Sequence, residues 1–143
     1  MKNKIIFILF FLVLLTSCTK YETIFIGNGE EKIKIKAEVA DTQEKKERGL
    51  QFRESLKENS GMFFAFDSDA TFNFFMINTL IPLDIIFISK DLDIVEIIYT
   101  ESCVEEPCQN YKTSKYSRYV LQVNGEFTTK NNIEVGDKIQ IGK

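Results

Sequence analysis

The chain of 143 residues contains no histidine and no tryptophan, and it has only two prolines and three cysteines. Without histidine it lacks the commonest general base near neutral pH and the commonest metal ligand. No Gly-x-Ser-x-Gly or other activated-serine pattern is present, so carboxylates are the remaining candidates for proton transfer. The sequence therefore leans away from an enzyme without deciding the question, and we expect neither a metal nor another cofactor.

Basic blocks are missing as well. The chain has 18 lysines and arginines against 21 acidic residues, a formal net charge of −3, with no basic run interleaved with aromatics. Nucleic acid is therefore not an expected partner. A chain of this length builds one hydrophobic core, so we expect a single domain and a monomer.

The N-terminal segment has the pattern of a lipoprotein signal. Two early lysines precede an apolar stretch from Ile5 to Leu15, which is too short to span a bilayer comfortably. Small residues then lead directly to Cys18. We expect residues 1–17 to be removed and Cys18 to carry lipid, which would hold the protein on the cell envelope, at the periplasmic face of the outer membrane in a diderm host. The alternatives are an ordinary signal peptide and an uncleaved anchor helix.

Residues 18–30 are polar and contain glycines, so they are predicted to form a lipidated N-terminus and a flexible tether ahead of a domain over 31–143. The two cysteines of that domain, Cys103 and Cys108, form an even pair in an exported chain, and a disulfide is the simplest interpretation. A zinc site is the weaker alternative, because two sulfurs provide only half of its ligands.

Apolar runs separated by turn signals predict a β-rich fold. N-capping residues ahead of Gly49 favour a short helix over 42–48, and residues 126–131 favour one or two helical turns. About seven short strands are predicted, over 31–40, 62–66, two pieces of 71–89, 94–99, 118–123 and 138–141. So many short strands must hide their edges, so we expect one small, partly closed barrel-like domain with two short helices.

The stretch 71–89 is nearly continuous in apolar residues, and Pro82 should divide it into two strands joined by a polar turn. Its interruptions Asn78, Thr79 and Asp84 need hydrogen-bond partners, since a buried polar group without one costs several kcal/mol. For Asp84 we expect donors from the turn itself and from the guanidinium of Arg48.

One long motif, FFMINTLIPLDI over 74–85, mixes polar and apolar positions in a way that burial alone does not dictate. Shorter motifs occur in order around it: Ala40-Asp41-Thr42, Arg48-Gly49-Leu50, Gly61-Met62-Phe63-Phe64, Cys103 with Pro107-Cys108, Arg118-Tyr119-Val120-Leu121 and Val135-Gly136-Asp137. Together they resemble the uncharacterised domain family DUF192, also called UPF0127, over residues 33–141. The resemblance implies a small β-rich domain, often exported, with no established reaction.

The sequence departs from that family at two positions. Members usually have lysine where this chain has Ile77, and glutamate where it has Gln122. A paired loss of opposite charges would be explained if the two side chains meet across the fold.

Two functions remain open. The first is a module that binds a small molecule, a glycan or an envelope protein, through a wall of apolar residues with a few fixed polar groups. Its candidate residues are Arg48, Phe74, Met76, Asn78, Thr79, Asp84 and Gln122. The alternative is a hydrolase of envelope glycans in which Asp41 and Asp84 form an acid and base pair. Burial of Asp84 against backbone amides would argue against the hydrolase.

Overall fold

The structure is a computed structural model that describes residues 19–27 and 31–142. The predicted signal segment 1–17 and the lipidation site Cys18 lie outside these residues. Nine strands and two short helices occur in the described part of the chain: β1 Tyr21–Ile26, β2 Ile33–Ala40, α1 Gln43–Arg48, β3 Ser60–Ala70, β4 Asn73–Phe75, β5 Leu83–Ile88, β6 Ile94–Thr100, β7 Asn110–Lys112, β8 Ser117–Asn124, α2 Phe127–Lys130 and β9 Ile139–Ile141.

Seven of the strands form one curled sheet in the order β6-β5-β8-β3-β2-β1-β9, and β4 and β7 form a separate two-stranded sheet. The edge strands β6 and β9 approach each other at one end, where Ile94 N–H donates to the Asp137 carbonyl at 2.8 Å and Ile139 N–H donates to the Leu92 carbonyl at 2.9 Å. The large sheet is therefore a half-barrel closed at one end. The prediction of a mainly β, partly closed domain is confirmed, with two more strands than expected.

The predicted tether is wrong over Tyr21–Ile26. This segment is β1, which pairs antiparallel with both β2 and β9. Ile24 and Ile26 are fully buried. Removing these two isoleucines from water outweighs the flexibility that the neighbouring polar residues and glycines suggest.

The half-barrel has an apolar core on each face of its sheet. The interior core lies inside the curl and includes Phe63, Ile86, Leu121 and Phe127 of α2. The outer core lies on the convex face, where it contacts β4, β7 and the segment after α1, and it is formed by Ala40, Leu50, Met62, Phe64, Met76, Leu83, Ile85, Phe87 and Val120. Since β5 is covered on both sides, all six of its residues are buried.

The connection from β2 to β3 crosses over between two parallel strands and contains α1. The Thr42 hydroxyl caps the helix by accepting from Lys45 N–H at 3.2 Å, and Gly49 ends it with a φ of +53°. After the helix, Arg53 donates two hydrogen bonds to the Glu38 carboxylate, at 2.8 and 2.6 Å. This pair fastens the crossover to the sheet.

Cys103 and Cys108 form a disulfide with their Cα atoms 5.8 Å apart, as predicted. Cys103 N–H donates to the Thr79 carbonyl at 2.9 Å, so the disulfide loop is attached to the turn between β4 and β5. In the described residues, no helix has the length and apolar character needed to cross a membrane.

Candidate functional site

A cavity of about 580 Å³ opens on the outer face of the half-barrel, and we call it the outer-face cavity. Its walls come from α1 and the segment after it, the second half of β3, all of β4, and single residues of β5 and β8. The volume lies within the range of pockets that hold small molecules. The pairing of β3 with β8 shifts register between Ala65 and Ala70, and this irregular part of β3 contributes Phe66, Asp67 and Ser68 to the wall.

Aromatic rings form much of the cavity wall. Phe74 makes edge-to-face contacts with Phe64 and Phe87, at centroid distances of 6.0 and 5.9 Å. Phe66 stacks on Phe72 at 4.0 Å. These contacts hold the rings in place without a ligand, so the apolar wall is preformed. At the rim, Phe75 is 64% exposed.

Gln122 is the polar side chain at the base of the cavity. It lies on β8 opposite Met62 of β3 and Ile85 of β5, and the residue is only 5% exposed. Its Oε1 is buried and has no hydrogen-bond partner among the described residues. A buried acceptor without a donor costs about 1 to 3 kcal/mol, and such groups are rare unless something else satisfies them.

Charged side chains stand at the mouth. Lys46, Glu47, Arg48 and Asp67 all contribute to the lining. Glu47 accepts a hydrogen bond from Gln43 at 2.8 Å, and the Lys46 ammonium lies 5.0 Å from the centre of the Phe66 ring. Arg48 is exposed, and its guanidinium makes no hydrogen bond or ion pair with the described part of the chain.

The structure brings five of the seven candidate residues together. Arg48, Phe74, Met76, Thr79 and Gln122 line the outer-face cavity, whereas Asn78 and Asp84 do not. Met76 and Thr79 are 2% and 4% exposed, so they belong to its buried part. Asn78 instead shapes the turn, with a φ of +60° that asparagine tolerates better than most residues, and its carbonyl accepts from Phe52 N–H at 2.8 Å.

Asp84 is buried, as its position in an apolar run requires, but the predicted donors are wrong. Its carboxylate accepts from Glu126 N–H at 3.1 Å, from Thr128 N–H at 2.8 Å and from the Thr128 hydroxyl at 2.7 Å. These donors belong to the start of α2 on the other face of the sheet, because neighbouring side chains of a strand point to opposite faces. Leu83 and Ile85 contact the outer core, so Asp84 points away from it.

The hydrolase alternative loses its acid and base pair. Asp84 is 1% exposed with three donors on its oxygens, and it does not line the outer-face cavity. Asp41 lies on the surface beside α1, where its carboxylate accepts from the Lys45 ammonium at 2.6 Å. That hydrogen bond holds the pKa of Asp41 below its ordinary value. The two carboxylates therefore share no cleft in which a glycosidic bond could sit between them.

The two departures from the family pattern occupy different surroundings. Gln122 lines the outer-face cavity, whereas Ile77 forms a bridge with Cys103 at the disulfide loop and is not part of the lining. The hypothesis that positions 77 and 122 meet in one site is therefore not supported. Within the described residues, no cluster of three or more histidine, cysteine or acidic side chains could hold a metal ion.

Several cavity residues were not among the sequence candidates. They include Lys46 of α1 and the rings of Phe64, Phe66 and Phe72. Local pattern does not separate a ring that lines a cavity from one that fills a core. One sequence pattern could have pointed to this part of the cavity. Along β3 an apolar run is followed by polar residues from Asp67 and Ser68 onward.

Fold and site together define a small half-barrel domain with a preformed cavity on its outer face, which has an aromatic wall and a charged mouth. A family model described as DUF192, "Uncharacterized ACR, COG1430", matches residues 24–141, and the chain belongs to this family. The comparison with curated proteins gives no significant match.

Solved structures share the fold. A proposed transcription regulator from Sinorhizobium meliloti 1021 aligns with a TM-score of 0.78 at 22% identity, covering 86% of this chain and 95% of that one. A protein of unknown function from Novosphingobium aromaticivorans DSM 12444 aligns with a TM-score of 0.78 at 26% identity, covering 88% and 89%. At 22% identity, the similarity to the first structure shows a shared fold only, and no regulatory role is inferred for this chain.

Proposed function

We propose that this protein is a lipid-anchored cell-envelope module that binds a small ligand in the outer-face cavity. The observation that carries the proposal is the buried Gln122 Oε1 at the base of a preformed cavity, for which the described residues supply no hydrogen-bond donor. A change of the Gln122 rotamer would bring this oxygen to the cavity surface, where a ligand that donates one N–H or O–H would remove its desolvation cost and cover the aromatic wall at the same time. The proposal assigns no reaction to this protein. The lining is proposed to act by its shape and by its hydrogen bonds to the ligand.

Anchoring is the second part of the proposal, and it rests on the sequence around Cys18. We expect the wild-type chain to sediment with membranes and to carry lipid on this cysteine. Cys18→Ala should leave the precursor uncleaved at this site. Mass spectrometry of the mature N-terminus is the measurement, and a wild-type protein that lacks acyl mass at Cys18 would overturn this part.

Binding is tested with N-phenyl-1-naphthylamine, a neutral aromatic probe with one N–H donor. The full chain is held in lipid nanodiscs, and far-UV circular dichroism follows its melting at increasing probe concentration. A ligand that binds the folded state raises Tm with its concentration. Lipid takes up the same share of probe in wild-type and variant samples, so only differences between them are used.

Gln122→Leu is the informative variant. It should melt at a higher temperature than wild type without probe, because a buried acceptor without a partner is replaced by an apolar group of similar size. It should also need about five to ten times more probe for the same Tm increase, as expected for the loss of one hydrogen bond of about 1 kcal/mol. Gln140→Leu, on the exposed side of β9, is the matched control and should leave probe binding unchanged. If the probe stabilises neither wild type nor control, the cavity is not a binding site for ligands of this kind.

A further inference from the structure

We infer that the ligand of the outer-face cavity is an anionic amphiphile, with an aromatic or acyl body and one acidic head group. The inference rests on the proposed function and names its ligand class. Three features carry it: the division of the lining into an apolar wall and a charged mouth, the Arg48 guanidinium that pairs with none of the described residues, and the place of the cavity relative to the start of the described chain.

The lining separates apolar and charged groups. Leu50, Phe64, Phe74, Met76 and Leu83 of the outer core line the cavity together with the Gln122 amide. The charged residues come from α1 and from the exposed part of β3. A ligand that fills the cavity must therefore be apolar along its body and polar where it emerges.

The positions of the cations at the mouth favour an anion at that end. The mouth carries two carboxylates and two cations, and the neutral Gln43 amide that donates to Glu47 leaves the charge of that carboxylate in place, so the preference depends on where the two cations stand. The Lys46 ammonium is held over the Phe66 ring, a wall residue, so it stands above the apolar part of the cavity. Arg48 carries a guanidinium with no engagement in the described chain, and its planar fork suits a carboxylate, sulfonate or phosphate.

Arg48 also connects the cavity to the N-terminal end of the described chain. It lines a second, neighbouring cavity of about 540 Å³, and Thr19 lines that cavity too. Lys20 is fixed there because its carbonyl accepts from Val39 N–H at 2.9 Å. Thr19 directly follows the proposed lipidated cysteine, so the charged mouth faces the side of the domain from which the anchor departs. Amphiphiles that leave a bilayer are the ligands that this placement favours.

Two probes with the same aromatic body test the head group. 5-Anilinonaphthalene-1-sulfonate differs from N-phenyl-1-naphthylamine by one sulfonate on the other ring, away from the amine, so it keeps a free N–H donor for Gln122. With the full chain in nanodiscs, melting followed by circular dichroism and each free probe concentration corrected for uptake by empty nanodiscs, wild type should bind the sulfonate about five times more tightly, the factor for an exposed charge pair of about 1 kcal/mol. Added salt should weaken the sulfonate more than the neutral probe.

Arg48→Gln should abolish most of this fivefold preference and change binding of the neutral probe by less than twofold. Lys90→Gln removes one positive charge at the exposed turn between β5 and β6, outside the lining, and should leave the preference intact. Equal binding of the two probes by wild type would overturn the anionic head group while leaving the proposed function in place. An equal loss of both probes in Arg48→Gln would also overturn it, because the arginine would then act as part of the wall. Failure of both probes to stabilise wild type would overturn the proposed function itself.

Discussion

The Asp84 carboxylate should be one of the main supports of the half-barrel, and its removal should unfold the domain at lower temperature without affecting ligand binding. In Asp84→Asn the amide oxygen can face Thr128, but the amide nitrogen then meets Glu126 N–H, so one hydrogen bond is lost and two lose their charge. We expect a loss of about 2 to 3 kcal/mol from the free energy of unfolding. Asp84→Leu leaves all three donors without an acceptor, and we expect about 4 kcal/mol or more.

Urea melts at pH 7 measure both losses, with Asp91→Asn in the exposed turn after β5 as the control that should change stability by less than about 0.5 kcal/mol. Thr128→Val removes one donor and should couple to Asp84→Asn in a double-mutant cycle by about 1 kcal/mol. Neutral-probe binding, scored on the folded fraction, should match wild type because Asp84 does not line the outer-face cavity. Wild-type stability in both Asp84 variants would refute the reasoning, and loss of probe binding in a fully folded Asp84→Asn would refute the assignment to the far face.

Three further changes test other contacts. Replacing both Cys103 and Cys108 with serine should cost about 1 to 3 kcal/mol in urea melts, because the disulfide closes a loop with a sequence separation of only 5; an unfolded variant would contradict this local role. The hydrogen bond from Arg53 lowers the pKa of Glu38 from its ordinary value of 4.5, and burial opposes this shift. The pair therefore stabilises the folded state above that pH, and this stabilisation is lost as the pH falls through the pKa that Glu38 has in the folded protein. Glu38→Gln should therefore cost about 0.5 to 1 kcal/mol at pH 7 and nothing well below pH 4 in chemical denaturation, and a pH-independent difference would contradict the pairing. Gly61→Ala would place a Cβ 2.4 Å from the backbone carbonyl oxygen of Gln122, so it should lower Tm by an amount equivalent to about 2 kcal/mol. An unchanged Tm would contradict that contact.

The candidate site was only partly predictable from sequence. Apolar runs interrupted by polar groups correctly drew attention to 71–89, yet they could not say which face each group would occupy. Asp84 and Met76 cannot be told apart in this way, because both lie in the apolar run 71–89 and both are buried. One belongs to the cap of α2 and the other to the outer-face cavity, because the turn at Asn78 and the strand parity of β5 place them on different sides.

The sequence by itself determined the strand periods, the helix over 43–48 with its Gly49 end, the pairing of Cys103 with Cys108, and the membership in DUF192. These features depend on neighbours along the chain or, for the disulfide, on two cysteines with a sequence separation of only 5. Tertiary structure alone decided that Tyr21–Ile26 joins the sheet, that the donors of Asp84 come from α2, and that Lys46 and Phe66 line the same cavity as Gln122. Each of these depends on contacts between residues distant in sequence, and such contacts are fixed only when the sheet curls and its two faces are covered.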